Sequence, residues 1–145
     1  MIDRRRSRIL AMQALCQLEV LEGEWFSQID EFLADENDGA GEQEYARGLI
    51  RGIWTDLAVV DERMQSASHN WDLKRMSSVD RNILRVATRE LMHPDSAVPP
   101  RVAIDEAIEI SKVYGSVESP AFINGVLDFV LKTVTPGVPA EAAEQ

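Results

Sequence analysis

Residues 119–134 have the sequence SPAFINGVLDFVLKTV, and their apolar positions decide the fold class of the chain. From Phe122 onward the apolar side chains recur at i, i+1, i+4, i+5, i+8, i+9 and i+12, which is the period of an α-helix with one buried face. Pro120 suits the first turn of a helix, because the backbone N–H groups there have no intrahelical partner. The segment therefore predicts an amphipathic helix that packs into a core.

The same helical period returns along most of the chain, and no segment alternates apolar and polar residues as a half-buried strand would. The predicted helices cover residues 5–21, 25–35, 42–67, 79–92, 101–114 and the C-terminal stretch. We expect Gly48 and Gly52 to mark close helix packing, Trp71 to anchor a connection to the core, and Ser77 or Ser78 to cap the next helix. Six or seven helices predict an all-α bundle of two sub-bundles that share one core.

The length of 145 residues is that of one domain with its own core. We predict a single helical domain over residues 1–135 and a disordered tail over residues 136–145, which have no anchoring pattern. The longest uninterrupted apolar runs are about four residues, far below the ~20 that a membrane span needs, so no membrane partner is expected. Cys16 is the single cysteine, which excludes an internal disulfide and favours the reducing cytoplasm.

The formal net charge of −10 is unevenly distributed along the chain. Residues 19–47 hold ten acidic side chains and one basic one, so the rest of the chain sums to −1. The first eight residues carry four arginines against Asp3 alone. RNA is therefore plausible as a ligand at the N-terminus and implausible along the acidic segment.

The strongest candidate for a binding site is the N-terminal arginine cluster, which consists of Arg4, Arg5, Arg6 and Arg8. Each planar guanidinium can bind a phosphate through two hydrogen bonds or stack on an exposed base of single-stranded RNA. A solvated basic tail explains a short basic run equally well. The cluster lies at a predicted helix N-terminus, where cations oppose the helix dipole and a bound anion would relieve the conflict, which slightly favours a functional site.

A second row of arginines, Arg81, Arg85 and Arg89, has the spacing i, i+4, i+8 and lines one stripe of the predicted 79–92 helix. We interpret it as a solvent-exposed stripe with ion pairs, opposite the apolar face of the helix. A stripe that binds a partner protein is the alternative. Phe122 near the start of the last helix could stack on a base, although the apolar period alone favours a place in the core.

Catalytic chemistry finds few suitable residues in this sequence. The two histidines, His69 and His93, lie far apart in predicted connections, and two histidines with one thiol are too few for a metal site. No glycine-rich phosphate loop precedes a helix. Adjacent acids such as Asp105 and Glu106 diverge on a helix, so we assign them to a solvated face. We predict no catalytic residue, no metal and no cofactor, and a protein that is not an enzyme.

Three ordered blocks of the sequence resemble the NusB family of bacterial transcription antitermination factors. The first, within residues 4–19, contains RRRSR, then MQAL and a glutamate. The second, residues 71–87, is WDLKRMSSVDRNILRVA. The third and most specific block contains VPPRVAIDEAIEISK, YGS and FINGVLD within residues 98–128. The resemblance spans residues 4–132, nearly the whole chain.

The resemblance implies an all-helical fold of two three-helix sub-bundles. It also implies binding to the boxA element of nascent RNA as a single strand, together with NusE, a protein also found in the small ribosomal subunit. Other Nus factors and RNA polymerase would take part indirectly, and the complex would support antitermination, notably in ribosomal RNA operons. The family pattern assigns RNA contacts to the arginine cluster, Glu118 and Phe122, and NusE contacts to Asp80 and its neighbour Arg81.

Two positions depart from the family pattern. Cys16 replaces a common aromatic residue, and the pair 120–121, Pro-Ala, replaces a polar and often basic pair. Together with the acidic net charge, these departures predict weak binding to RNA alone and tighter binding once NusE is present. The chain is expected to be a monomer or a homodimer.

Two rival interpretations are left open by the residues. The acidity also fits a helical protein-interaction module with no RNA binding of its own. The second rival is a relative of the helical domain that precedes some RNA methyltransferases, although no α/β domain with a cofactor loop follows within the 145 residues. An RNA-binding assay with and without NusE separates the first rival from an antitermination factor.

Overall fold

The computed structural model describes residues 3–21, 27–35, 38–68, 72–93 and 98–134. Within these ranges the chain is all-helical and has no strand, as predicted. The α-helices in the same ranges are α1 (Arg4–Val20), α2 (Ile29–Asp35), α3 (Ala40–Thr55), α4 (Leu57–Ala67), α5 (Ser78–Met92), α6 (Pro100–Tyr114) and α7 (Ser119–Val134). A short 3₁₀ helix, Leu73–Arg75, precedes α5. The predicted anchor Trp71 and the predicted disordered tail, residues 136–145, lie outside the described residues.

Local sequence signals place several of the helix starts. Asp3 caps α1, because its carboxylate accepts a hydrogen bond of 3.1 Å from the backbone N–H of Arg6. Ser77 caps α5 in the same way, accepting from the N–H of Asp80 at 3.1 Å, which confirms one of the two predicted caps. Pro100 opens α6, where its missing N–H group leaves no hydrogen bond unmade.

The predicted continuous helix over residues 42–67 is in fact two helices. α3 ends at Thr55 and α4 begins at Leu57, with Asp56 between them at φ −104° and ψ 25°. Arg89 of α5 binds the carboxylate of Asp56, so a contact from another helix lies at the break. The sequence pattern missed the break because the apolar period continues across both helices.

The core has two parts, which α1 and α5 join. In the first part, the largest fully buried side chains of α1, α2 and α3 are Leu10, Leu15, Leu18, Ile29, Leu33, Ile50 and Ile53. In the second part, those of α4, α5, α6 and α7 are Met64, Leu84, Leu91, Ile104 and Ile123. Val86 of α5 belongs to the first part and Met12 of α1 to the second. The two predicted sub-bundles are therefore present, and the break at Asp56 gives the second one four helices.

One of the two glycines predicted to mark close packing does so. A Cβ on Gly52 would lie 2.8 Å from the guanidinium of Arg89, so a larger side chain at this position of α3 would displace the Arg89 side chain that packs there. A Cβ on Gly48 would meet nothing within 4 Å, and the expectation for that residue is wrong. Gly48 lies one helical turn before Gly52 and is exposed.

The antiparallel arrangement of α1 and α5 determines where the candidate site residues lie. Glu19 near the end of α1 accepts a hydrogen bond from Ser78 at the start of α5. Arg8 near the start of α1 binds Glu90 near the end of α5. The N-termini of these two helices are therefore at opposite ends of the bundle. Asp80 and Glu90 alone are separated by about 15 Å along the axis of α5.

Candidate nucleic-acid interface

The N-terminal arginine cluster occupies the start of α1, and the fold gives its side chains different environments. The side chain of Arg5 is 50% exposed, and that of Arg4 is half-buried. Arg6 is also half-buried and binds Asp38 at 3.0 Å. Arg8 is only 4% exposed, which corrects the expectation that all four arginines form one surface patch. Its position on α1 faces α5 and α6.

Arg5 is held at the surface by a two-point contact with α6. Its Nε and Nη2 atoms donate to the two carboxylate oxygens of Glu106 at 2.9 and 2.7 Å. The hydrogen bond from Arg5 lowers the pKa of Glu106 and outweighs the opposing effect of burial. Glu106 is thus an ionised partner of Arg5 and is 19% exposed. The prediction that it belongs to a solvated face is wrong. The other N–H donors of Arg5 make no contact with Glu106.

Arg4 is held by an aromatic ring rather than by a carboxylate. Its guanidinium carbon lies 4.9 Å from the centre of the Tyr45 ring, within the range of a cation–π contact. The hydroxyl of Tyr45 donates to Glu90, which also accepts from Nε of Arg8 at 2.9 Å. Burial and the bond to Glu90 raise the pKa of Tyr45 to about 12, so the phenol stays protonated and can donate.

A groove of about 470 Å³ lies beside Arg4 and Arg5. It is lined by Asp3, Arg4, Arg5, Arg8, Val98, Val102 and Glu106. The cations are closely matched by acids, because five carboxylates lie around the cluster: Asp3, Asp38, Glu42, Glu90 and Glu106. The end of the bundle that carries Arg4, Arg5, Arg6 and Arg8, here called the arginine end, is therefore close to neutral. An RNA strand would find two accessible guanidinium groups there rather than a strongly positive surface.

Three of the four other predicted site residues meet in a second groove at the opposite end of α5. Asp80, Glu118 and Phe122 line this groove of about 210 Å³, between the starts of α5 and α7. Phe122 packs against the second part of the core and stays partly exposed. The Oδ1 atom of Asp80 is buried and finds no hydrogen-bond partner among the described residues. The fold thus brings Asp80, for which the family resemblance implies a NusE contact, next to Glu118 and Phe122, for which it implies RNA contacts.

The arginine row of α5, Arg81, Arg85 and Arg89, is not the solvent-exposed stripe that its spacing predicted. Arg85 is 6% exposed, and its Nε and Nη2 atoms bind both oxygens of Asp61 on α4 at 2.9 Å each. Its Nη1 atom binds Glu19 of α1. The predicted ion pairs are present, but they connect helices. Arg81 and Arg85 bind acids of α1 and α4, and Arg89 binds Asp56 at the break between α3 and α4.

Arg81, for which the resemblance implies a NusE contact, has its guanidinium engaged inside the protein. Its Nε and Nη2 atoms bind Glu19 at 2.6 and 2.8 Å, and Nη1 donates to the carbonyls of Leu73 and Met76 at 2.8 and 2.9 Å. Burial would raise the pKa of Glu19, but hydrogen bonds, chiefly from Arg81, lower it to about 2. Arg81 therefore fixes the turn before α5, while Asp80 faces the second groove.

The described helices contain neither a metal site nor a membrane span. No group of three or more histidine, cysteine, aspartate or glutamate side chains within these ranges could hold a metal ion. No helix there is long and apolar enough to cross a bilayer. Cys16 is half-buried between α1 and α5, where its Sγ atom lies 3.4 Å from the amide nitrogen of Asn82.

Sequence reasoning missed three residues of the arginine end: Tyr45, Glu90 and Glu106. From the sequence, Glu106 is predicted to lie on a solvated face, and no site role is predicted for Tyr45 or Glu90. Their partners on α1 are distant in sequence, with separations of 82 residues for Glu90 and 101 residues for Glu106. No local period or motif signals a contact of that range, so only the packed helices reveal these residues.

The fold and the arginine end together define a class of protein: an all-α, two-part bundle with exposed arginines at the head of its first helix. The profile of the NusB family matches residues 5–132. The transcription antitermination protein NusB of Anaeromyxobacter dehalogenans is 42% identical over 134 residues, covering 92% of this chain and 93% of the relative. That of Trichlorobacter lovleyi is 41% identical over 125 residues, covering 86% and 87%. The chain belongs to the NusB family.

Solved structures agree with this assignment of the fold. NusB of T. maritima has a TM-score of 0.83 and 41% identity, and the match covers 99% of both chains. A structure of the antitermination factors NusB and NusE in complex with double-stranded RNA has a TM-score of 0.79 and 22% identity, covering 90% of this chain and 96% of that one. At that identity the second likeness establishes the fold alone.

Proposed function

We propose that the chain is a transcription antitermination factor that binds a short single-stranded RNA of the boxA type together with NusE. In this role it acts in the bacterial cytoplasm and helps RNA polymerase pass terminators, notably in ribosomal RNA operons, with other Nus factors taking part indirectly. Family membership supports the general role. The observation that carries the RNA contact is the pair Arg4 and Arg5, two guanidinium groups held at the surface beside an open groove.

Arg4 and Arg5 make the first contacts with RNA phosphates in this proposal. The N–H donors of Arg5 that Glu106 leaves free can bind a phosphate without breaking the ion pair. Arg4 has no carboxylate partner among the described residues, and stacking on Tyr45 leaves the edges of its guanidinium open. Arg6 can join only if it releases Asp38, and Arg8 acts from beneath the surface.

The second groove provides the remaining contacts. We place NusE against Asp80, with Arg81 acting indirectly by holding the turn before α5. The RNA strand passes Glu118 and stacks a base on the exposed part of Phe122. Because the chain is acidic and its arginine end is nearly neutral, RNA binding is weak without NusE. NusE supplies additional contacts and thereby raises the affinity.

The salt dependence of RNA binding tests the arginine contacts. Two phosphate contacts contribute about −1.4 to the slope with which the logarithm of the binding constant falls against the logarithm of the salt concentration. The double variant Arg4→Ala/Arg5→Ala should bind labelled boxA-type RNA about tenfold more weakly in the presence of NusE, with a slope that is shallower than that of the wild type by about 1.4. Fluorescence anisotropy at several salt concentrations measures both quantities.

The matched control is Arg47→Ala/Arg51→Ala, which removes the same charge from α3, away from both grooves. It should leave the slope unchanged. If both double variants lose affinity equally, the effect is one of net charge and the arginine contacts are wrong. If the wild type binds NusE but no RNA in any condition, the chain is a protein-interaction module. Sedimentation of the same samples distinguishes a monomer from a homodimer.

A further inference from the structure

Arg4 and Arg5 are connected to each other beneath the surface. Arg4 stacks over a ring of α3, and Arg5 binds a carboxylate of α6. Between these two points runs an unbroken series of contacts, here called the relay, which consists of Tyr45, Glu90, Arg8 and Glu106. Its members come from α3, α5, α1 and α6 respectively. Side chains from four helices therefore support one pair of surface cations.

The relay becomes more buried toward its centre. The side chains of Arg8 and Glu90 are 4% and 5% exposed, and they are joined at 2.9 Å. Arg8 also lies 3.6 Å from Glu106, which is 19% exposed, and Glu106 binds the 50%-exposed Arg5. Glu90 is too deep to meet a strand that binds at the surface, so its charge serves Arg8 and Tyr45 alone.

We propose that the relay positions Arg4 and Arg5 for RNA, which makes Tyr45 and Glu106 positioning residues of the RNA site. The inference rests on the proposed function and adds residues that do not themselves touch the ligand. A free arginine loses much rotamer freedom when it binds, and an arginine already held in place loses less. Glu106 takes up only one side of the Arg5 guanidinium and so orients it without using all of its donors.

The decisive comparison is between Glu106→Gln and Asp105→Asn. Both variants remove one negative charge from neighbouring positions of α6, so simple electrostatics predicts that both strengthen RNA binding. Asp105 is exposed and pairs with Arg101, outside the relay. If Glu106 positions Arg5, Glu106→Gln instead weakens binding of boxA-type RNA to the complex with NusE by about fivefold, while Asp105→Asn does not weaken it.

Double-variant cycles separate positioning from a loss of structure. In an Arg5→Ala background, Glu106→Gln should cause no further loss of RNA affinity, because the loss that it causes passes through Arg5. In an Arg4→Ala background, Tyr45→Leu should likewise cause none. Tyr45→Phe, which keeps the ring under Arg4, should bind RNA more tightly than Tyr45→Leu. Additive losses in both cycles would show general destabilisation and overturn the proposal.

A measurement without RNA keeps the two proposals distinguishable. Relaxation of the ¹⁵Nε–H group of Arg5 in the free wild type should show an ordered side chain, and Glu106→Gln should make it more mobile. A wild-type Arg5 as mobile as an exposed free arginine would overturn the relay even if RNA binds. RNA affinity for Glu106→Gln equal to or above that of Asp105→Asn would also overturn it. Failure of the wild type to bind RNA with NusE would instead overturn the proposed function itself.

Discussion

α1 and α5 each carry a row of arginines, and the bundle uses the two rows differently. At the start of α1, Arg4 and Arg5 keep part of their guanidinium surface open beside a groove. Along α5, Arg85 is buried between acids of α1 and α4 and serves to join helices. Both rows are visible in the sequence, and neither spacing shows which of the arginines are buried. The difference shows that the carboxylates that other helices bring to an arginine decide whether it is available to a ligand.

Arg8 combines features of both rows. It belongs to the first row in the sequence, but it is buried and ion-paired like Arg85 in the second. It lies one helical turn beyond Arg4, yet it is 4% exposed and paired with Glu90. The boundary between a binding arginine and a structural one therefore falls within a single cluster. The boundary is set by the face of α1 that packs on α5 and α6, because Arg8 lies on that face.

The largest effect is expected from breaking the interior row. Arg85→Ala should lower the free energy of unfolding by about 3–5 kcal/mol, because Glu19 and Asp61 would lose the cation buried between them. Urea denaturation measures the loss. Arg101→Ala, whose ion pairs with Asp105 and Asp128 are exposed, is the control and should change stability by less than about 1 kcal/mol. Equal losses of unfolding free energy in the two variants would mean that burial does not make Arg85 more important for stability than Arg101.

A smaller effect is expected from pH, through the carboxylate that binds both Arg81 and Arg85. The pKa of Glu19 is about 2 in the folded chain against 4.5 ordinarily. The unfolded chain therefore takes up a proton first, and the stabilisation is complete above about pH 4.5 and lost as pH falls toward 2. Near neutral pH, the free energy of unfolding of the wild type should exceed that of Glu19→Gln by about 2–3 kcal/mol. A difference that does not shrink on acidification would contradict the assignment.

The smallest effect on stability is expected from the exposed part of the first row. Arg4→Ala/Arg5→Ala should change the free energy of unfolding by no more than about 1 kcal/mol, because exposed ion pairs and cation–π contacts contribute little. The same double variant is the one expected to lose RNA affinity. A large loss of stability would show that Arg4 and Arg5 stabilise the fold as Arg85 does, and the two rows would then not differ in role.

Local signals predicted the helices well and the environments of polar side chains poorly. The cap at Ser77 was predicted, because a cap involves a neighbour within one turn of the helix. The sequence could not separate Gly52 from Gly48, because the side chain that crowds Gly52 is Arg89 of another helix. The break at Asp56 was missed, as was the burial of Arg8 and Arg85. Each of the missed features involves a partner on another helix.

An all-α bundle with arginines at the head of its first helix could be predicted from the residues alone, since a period of 3.6 residues is a local property. Which of the arginines stay available to a ligand depends on how the helices pack. The acids that hold Arg6, Arg8 and Arg5 lie 32, 82 and 101 residues away along the chain. Ion pairs depend on distance in space, which becomes defined only when the helices pack.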